Sequence, residues 1–151
     1  RLRYEVSDRL RVGTSFYYDK LSGPTFDHLV SEGLQVEYDT GTLRILAEAV
    51  LGSMDLDAGS AIKQLGWFIQ PSYRMDSGLT PYTRLEFIDP DRDADDDRGF
   101  SLVLGMNYET SGGLTFKVEE NYFKGGSESG GLRDLPGRDY SEIKAAVVLG
   151  F

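Results

Sequence analysis

Tyr140-Ser-Glu-Ile-Lys-Ala-Ala-Val-Val-Leu-Gly-Phe151 is the stretch whose reading decides the fold. With a period of two it separates into two faces. Ile143, Ala145, Val147, Leu149 and Phe151 fall on one, and Glu142, Lys144, Ala146, Val148 and Gly150 on the other. That is the alternation of a half-buried β-strand. It closes on a bare aromatic, Phe151, where a soluble strand would ordinarily fray into water.

Working back from it, eight more segments alternate in the same way. Leu2, Tyr4 and Val6 form one apolar row, and Leu10, Val12, Phe16 and Tyr18 the next. Leu34, Val36 and Tyr38 follow, then Leu43, Ile45, Ala47, Ala49 and Leu51. Leu65, Trp67, Ile69 and Tyr73, then Pro81, Leu85 and Phe87, then Phe100, Leu102, Leu104, Met106 and Tyr108, then Leu114, Phe116, Val118 and Tyr122 complete the set. Helical spacing fits none of the nine segments over a comparable length. The expected fold is all-β: an antiparallel up-and-down transmembrane barrel forming one domain over residues 1–151.

The connections alternate too. Residues 39–41, 76–78 and 111–113 are short turns, whereas 22–29, 53–60, 89–99 and 125–139 are long. Short turns on one side and long loops on the other are the layout of outer-membrane barrels. Tyr4, Tyr38, Tyr73 and Tyr108 each stand on the apolar face just before a short turn, at intervals of 34, 35 and 35 residues. One aromatic per hairpin at one height, with Phe151 ending the next such strand, makes a rim of the kind that suits a bilayer interface. Phe16, Tyr18, Trp67, Phe87, Phe100 and Tyr122 would supply the opposite girdle. The competing reading packs these aromatics inside a soluble, ligand-binding barrel.

Composition narrows the classes. The net charge of −9 argues against nucleic acid as a partner, and the absence of cysteine excludes disulfide and thiol chemistry. No window is apolar enough for a transmembrane helix, a test that is blind to strands whose alternate residues face lipid.

The same spacing places a short turn at Asp8-Arg9, making residues 1–7 a strand in its own right. Nine strands then depart from the even count of bacterial barrels, and the chain reads as the C-terminal part of a larger one. The alternative is a single strand through Asp8 and an eight-strand closed barrel, which would set Asp8 on the apolar face.

The closing strand resembles the C-terminal strand of bacterial outer-membrane barrels. In that family this strand is the signal read by the assembly machinery, which implies that role for Ile143, Val147, Leu149 and Phe151. Gly66-Trp-Phe-Ile-Gln-Pro-Ser-Tyr-Arg74, Pro81-Tyr-Thr-Arg-Leu-Glu-Phe87, Gly105-Met-Asn-Tyr108 and Leu114-Thr-Phe-Lys-Val-Glu119 look like the C-terminal half of Gram-negative porins, in the style of the phosphate-selective type. The resemblance implies a water-filled outer-membrane channel of a kind that is often trimeric. It carries over no anion site, because no lumenal basic cluster is visible in the sequence.

The polar face holds Arg3, Arg11, Arg44, Arg74, Arg84, Lys117 and Lys144 against Glu5, Glu37, Glu48, Glu86, Glu109, Glu119 and Glu142. Seven of each sign are read as lumen-lining. They would brace the wall by cross-strand pairs and set a transverse field without declaring a selectivity. The aspartate run at 89–97 lacks the glycine and glutamate of an EF-hand loop. A solvated extracellular loop is expected there, with weak divalent binding by Asp91, Asp93 and Asp95, alongside lipopolysaccharide phosphates, as the alternative. His28, the single histidine, sits in an expected loop beside Asp27 with no serine in a nucleophile context. No cofactor motif appears, and no catalysis is expected.

The reading is a passive channel for small hydrophilic solutes. The alternatives are a non-conducting barrel acting as anchor, adhesin or receptor through its loops, and a soluble ligand-binding barrel. Glu120 breaks the pattern by falling on the apolar face between Val118 and Tyr122. A β-bulge at Glu119-Glu120, a protein contact, or a position near the interface would relieve it.

Overall fold

The computed structural model describes residues 1–20, 26–56, 61–94, 97–125 and 139–149. They form nine strands: β1 Leu2–Glu5, β2 Leu10–Lys20, β3 Phe26–Asp39, β4 Leu43–Leu56, β5 Ala61–Tyr73, β6 Leu79–Asp89, β7 Gly99–Glu109, β8 Leu114–Gly125 and β9 Tyr140–Leu149. Each pairs antiparallel with its neighbours in sequence, giving one up-and-down sheet in the order β1 to β9. Among the described residues β1 pairs only with β2 and β9 only with β8, so the sheet is not closed.

The short turns form where glycine permits them. Gly41, Gly78 and Gly113 have φ of 90°, 83° and 79°, a left-handed conformation that L side chains resist. In two of the hairpins the glycine N–H closes the turn, Gly78 onto the Met75 carbonyl and Gly113 onto the Thr110 carbonyl, both at 3.1 Å. A tight turn followed by a left-handed glycine suits the twist of the flanking strands.

The β1–β2 hairpin settles the alternative at the first strand. Leu2 pairs with Thr14 and Glu5 with Arg11. The chain reverses through 6–9, where the Val6 N–H donates to the Leu10 carbonyl at 2.9 Å and the Ser7 hydroxyl accepts from the Leu10 N–H at 3.1 Å. Asp8 is therefore in a turn, and there is no continuous strand through it.

Three expectations are corrected. β3 begins at Phe26 and β4 runs to Leu56, so strand extends into the expected long connections 22–29 and 53–60. His28 consequently lies in β3 rather than in a loop, with its ring 5.6 Å from Tyr18. β8 passes through Glu119 and Glu120 in unbroken register with both neighbours, so the bulge expected there is absent. The ladder of the β5–β6 hairpin is interrupted between Ile69–Leu85 and Ser72–Tyr82, where Pro71 has no N–H to give.

Candidate functional site

A single-layer sheet has no second layer to bury either face, so side chains are covered only where their own face curves inward. Here the covered face is the charged one. Val103, Tyr82 and Glu119 on it are 1%, 6% and 8% exposed, while Leu104 and Leu34 on the apolar face are 45% and 54% exposed. A hollow of about 450 Å³ lies on the charged face, edged by Glu48, Arg84, Glu86, Asn121, Glu142 and Lys144, from four different strands. The polar side is concave and the apolar side convex, the inverse of a water-soluble sheet.

At the short-turn end, Glu37 of β3 gathers three guanidiniums from three other strands. Arg3 of β1 donates to its Oε2 at 2.7 Å, and Arg11 of β2 and Arg44 of β4 reach its Oε1 at 3.1 and 2.9 Å. Arg3 has to cross β2 to get there. The residue opposite it on β2 is Gly13. Arg1 likewise spans β2 to donate to the Gln35 amide oxygen. Arg74 packs its guanidinium on the Gly41 carbonyl at 2.9 Å. Glu5 meets Arg11 at 3.7 Å from an exposed position. Clustered basic residues, unseen along the sequence, are thus present in the fold.

On β6, β8 and β9 three charge pairs form within single strands, two residues apart, rather than across strands as expected. Arg84 meets Glu86 at 2.6 Å, Lys117 meets Glu119 at 3.0 Å and Lys144 meets Glu142 at 2.7 Å. Tyr82 joins them across a glycine. Tyr82, Gly105 and Glu119 are in register on β6, β7 and β8. The tyrosine ring lies over Gly105, and its hydroxyl donates to Glu119 Oε1 at 2.6 Å. The Lys117 ammonium stands 5.7 Å from the ring centre, within cation–π range. Glu48 and Glu109 share this face without joining these pairs.

No family model and no curated protein matches the sequence. Among solved structures the chain is similar to OmpT, an outer membrane protein of Vibrio cholerae in its in-vitro folded trimer form. The TM-score is 0.65 at 14% identity, over 91% of this chain and 50% of that one. The fold matches that of an outer-membrane β-barrel protein. The chain spans about half the length of that neighbour.

The other face carries what an outer-membrane barrel would turn to lipid. Tyr4, Trp67, Tyr73 and Tyr108 are exposed on it among Leu2, Leu34, Leu85, Leu104 and Met106, and Tyr38 shares it. Trp67, Phe87 and Phe100 sit side by side across β5, β6 and β7, with successive ring centres 5.8 and 4.9 Å apart. Ile143, Val147 and Leu149 of the terminal strand are exposed on the same face, and Phe151 lies outside the described residues. Glu120 stands among them, with the Tyr122 hydroxyl within hydrogen-bonding reach. It is opposite Leu104, midway along β7 between Phe100 and Tyr108, and so is not at either aromatic rim.

The aspartate loop after β6 is held by its own groups and by Lys63 of β5, whose carbonyl accepts from the Arg92 N–H at 2.8 Å and whose ammonium lies 3.9 Å from Asp93. Asp97 accepts from the Asp91 N–H at 2.7 Å, Asp91 from the Asp93 N–H at 3.1 Å, and Asp89 pairs with Arg98 at 3.2 Å. Asp95 lies outside the described residues, among which no group of three or more possible metal ligands converges.

Proposed function

We propose that this chain forms the wall of an outer-membrane porin that lets small hydrophilic solutes diffuse through a charged lumen. The observation that carries the reading is the inversion of faces. Burying Leu, Val, Phe and Trp side chains is worth roughly 1.5–3 kcal/mol each, a gain forgone by a convex face left in water. A contiguous apolar surface of this extent instead marks contact with lipid or protein. The concave face then encloses water, and the fourteen charged residues named for it become lumen-lining. The lumen works by field and width, with no chemical step and no cofactor.

In this reading the protein resides in the bacterial outer membrane, with lipid and lipopolysaccharide around it. The barrel-assembly machinery reads the terminal strand. The protein associates as a homotrimer, with Glu120 turned toward another copy because neither a bulge nor an aromatic rim relieves it. The porin style of the sequence and the outer-membrane fold of the neighbour support the same conclusion. The test is conductance: the full-length protein, refolded in detergent and added to a planar bilayer, should give stepwise ohmic current in KCl. A barrel that inserts without current is an anchor or receptor, and a chain that stays monodisperse without detergent is a soluble binding barrel.

A further inference from the structure

We propose that the hollow on the concave face binds small organic ammonium ions carried on a ring or other apolar body, as a step in their passage through the lumen. The proposal rests on the channel reading and names a solute class for it.

The charged face has its own exceptions to the alternation. Glu48, Phe68, Glu86, Ser101, Phe123 and Tyr140 are in register on the strands from β4 to β9 and form one row across it. Half of that row is aromatic. One step toward the long loops, Ile88 is paired with Gly99, and the Phe123 ring leans over that glycine: a Cβ added there would come 2.9 Å from the ring and 3.1 Å from Ile88. Phe123 and Tyr140 stack, with ring centres 5.2 Å apart. These groups line the hollow together with Phe68, while Gly66 and Ser101, with little or no side chain, line the space between them. Phe68, Phe123 and Tyr140 are half-buried, and Ile88 is exposed. A lone apolar side chain in water is ordinary, but a cluster drawn from four strands marks contact with something apolar. Lipid lies against the opposite face in the channel reading, so what meets this cluster comes through the lumen.

Charge decides which solutes those are. Among the described residues the hollow is lined by three carboxylates, Glu48, Glu86 and Glu142, and two cations, Arg84 and Lys144. Arg84 lies with Glu86 and Lys144 with Glu142. Glu48 is left over. It is half-buried, and among the described residues its carboxylate has no hydrogen-bond or ion-pair partner. Arg1 comes close by but binds Gln35, the residue opposite Glu48 on β3. An ammonium supplies the missing positive charge. Beside Glu48 it is also beside Phe68, its register partner, and the face of an aromatic ring attracts cations. The rest of the hollow offers Ile88, Phe123 and Tyr140 to the apolar body. Its volume of about 450 Å³ is that of a small-molecule site, with many apolar contacts and a few polar groups that fix orientation. An anion would meet the carboxylate surplus, and a cation without an apolar body would leave the rings wet. One ion pair and a few ring contacts hold a solute weakly enough for it to leave, as conduction requires.

The experiment uses the full-length protein in planar bilayers in KCl, with four probes: benzylammonium, methylammonium, benzamide and benzoate. Benzylammonium should reduce the current saturably, at concentrations severalfold below those at which the other three act. Glu48→Gln should raise its half-blocking concentration severalfold, toward that of benzamide. Phe68→Leu with Phe123→Leu should raise it toward that of methylammonium. If a variant fails to fold, the four probes on the wild type decide. Equal block by benzylammonium and methylammonium would show that the rings take no part, and equal block by benzylammonium and benzoate that charge takes none. Either result overturns the proposal, as does a block unchanged in the folded Glu48→Gln protein or in the folded leucine pair. Absence of any wild-type current in KCl fails the channel reading instead. Calorimetric titration of the same probes into the protein in detergent then tests the hollow by itself: preferential binding of benzylammonium supports it, and no binding overturns it.

Discussion

Gly105 decides the geometry of the β6–β8 network. A Cβ added there would lie 2.2 Å from the Tyr82 ring, far inside van der Waals contact, so ring and methyl cannot coexist. Gly105→Ala should expel the ring, break the Tyr82–Glu119 hydrogen bond and cost about 1–3 kcal/mol, the usual range for overpacking. Gly66→Ala is the matched control on the same face, because the nearest atom to its added Cβ is 3.8 Å away. Unfolding in urea, followed by fluorescence of Trp67, the single tryptophan, should separate the two variants. Tyr82→Phe leaves the ring over the glycine and removes only the donor to Glu119, for an expected loss of about 1 kcal/mol. Equal midpoints for Gly105→Ala and Gly66→Ala would show that the ring over the glycine contributes nothing. These contacts were not legible in the sequence. Arg3 and Glu37 are 34 positions apart, as are Arg1 and Gln35, and each pair meets across β2, a strand that contributes neither partner. Alternation tells which face a charge is on. It does not tell which charges on that face meet.

At the scale of the element, the strand alternation and the short turns were legible, because a single-layer sheet writes both of its faces along every strand and a left-handed turn demands glycine. Gly78 is the sharpest instance: besides its φ of 83°, an added Cβ would come 2.6 Å from the Glu109 carbonyl oxygen. Gly78→Ala should therefore cost more than the roughly 1–2 kcal/mol of left-handed strain alone, and should slow refolding of the hairpin it closes. Gly41→Ala, with nothing within 4 Å, should show the strain alone. Refolding into detergent micelles, followed by the heat-dependent shift in electrophoretic mobility, compares the two. Of the three ways to relieve Glu120 (a bulge, a protein contact or a place near the interface), the bulge is the one the backbone opposes. A bulge unpairs ladder groups in an apolar medium at several kcal/mol each, whereas a lipid-facing Glu costs less than the roughly 2–4 kcal/mol of an Arg or Lys. The ladder wins, and the carboxylate keeps its place with Tyr122 for company. If that place is a subunit contact, Glu120→Leu should lower the temperature at which the oligomer dissociates on native electrophoresis. An oligomer unchanged, with the monomer stabilised against urea, would put Glu120 in lipid.

For the whole molecule, parity governs closure. In an up-and-down sheet of nine strands the first and last run in the same direction, so β1 and β9 cannot pair antiparallel with each other. Each leaves one edge of backbone N–H and C=O groups without a partner in the described sheet, and such groups are not tolerated facing lipid. A closed ladder that stays antiparallel throughout needs an odd number of further strands between these edges, and a neighbour twice as long is consistent with that need. The chain has no cysteine, so the question can be put cleanly. Cysteines introduced at Tyr4 and, in turn, at Ile143, Val147 or Leu149 should form no intrachain disulfide in the full-length protein under mild oxidation. A disulfide needs Cα atoms within about 7 Å, which only adjacent strands provide. Cysteines at Tyr4 and Val12, which are paired across the β1–β2 hairpin, are the positive control. The 151-residue chain alone should behave differently: with both edges open it should self-associate in detergent, and its conductance should be leaky and irregular. High-yield disulfide between β1 and β9 would mean that the nine strands close on themselves through a parallel seam.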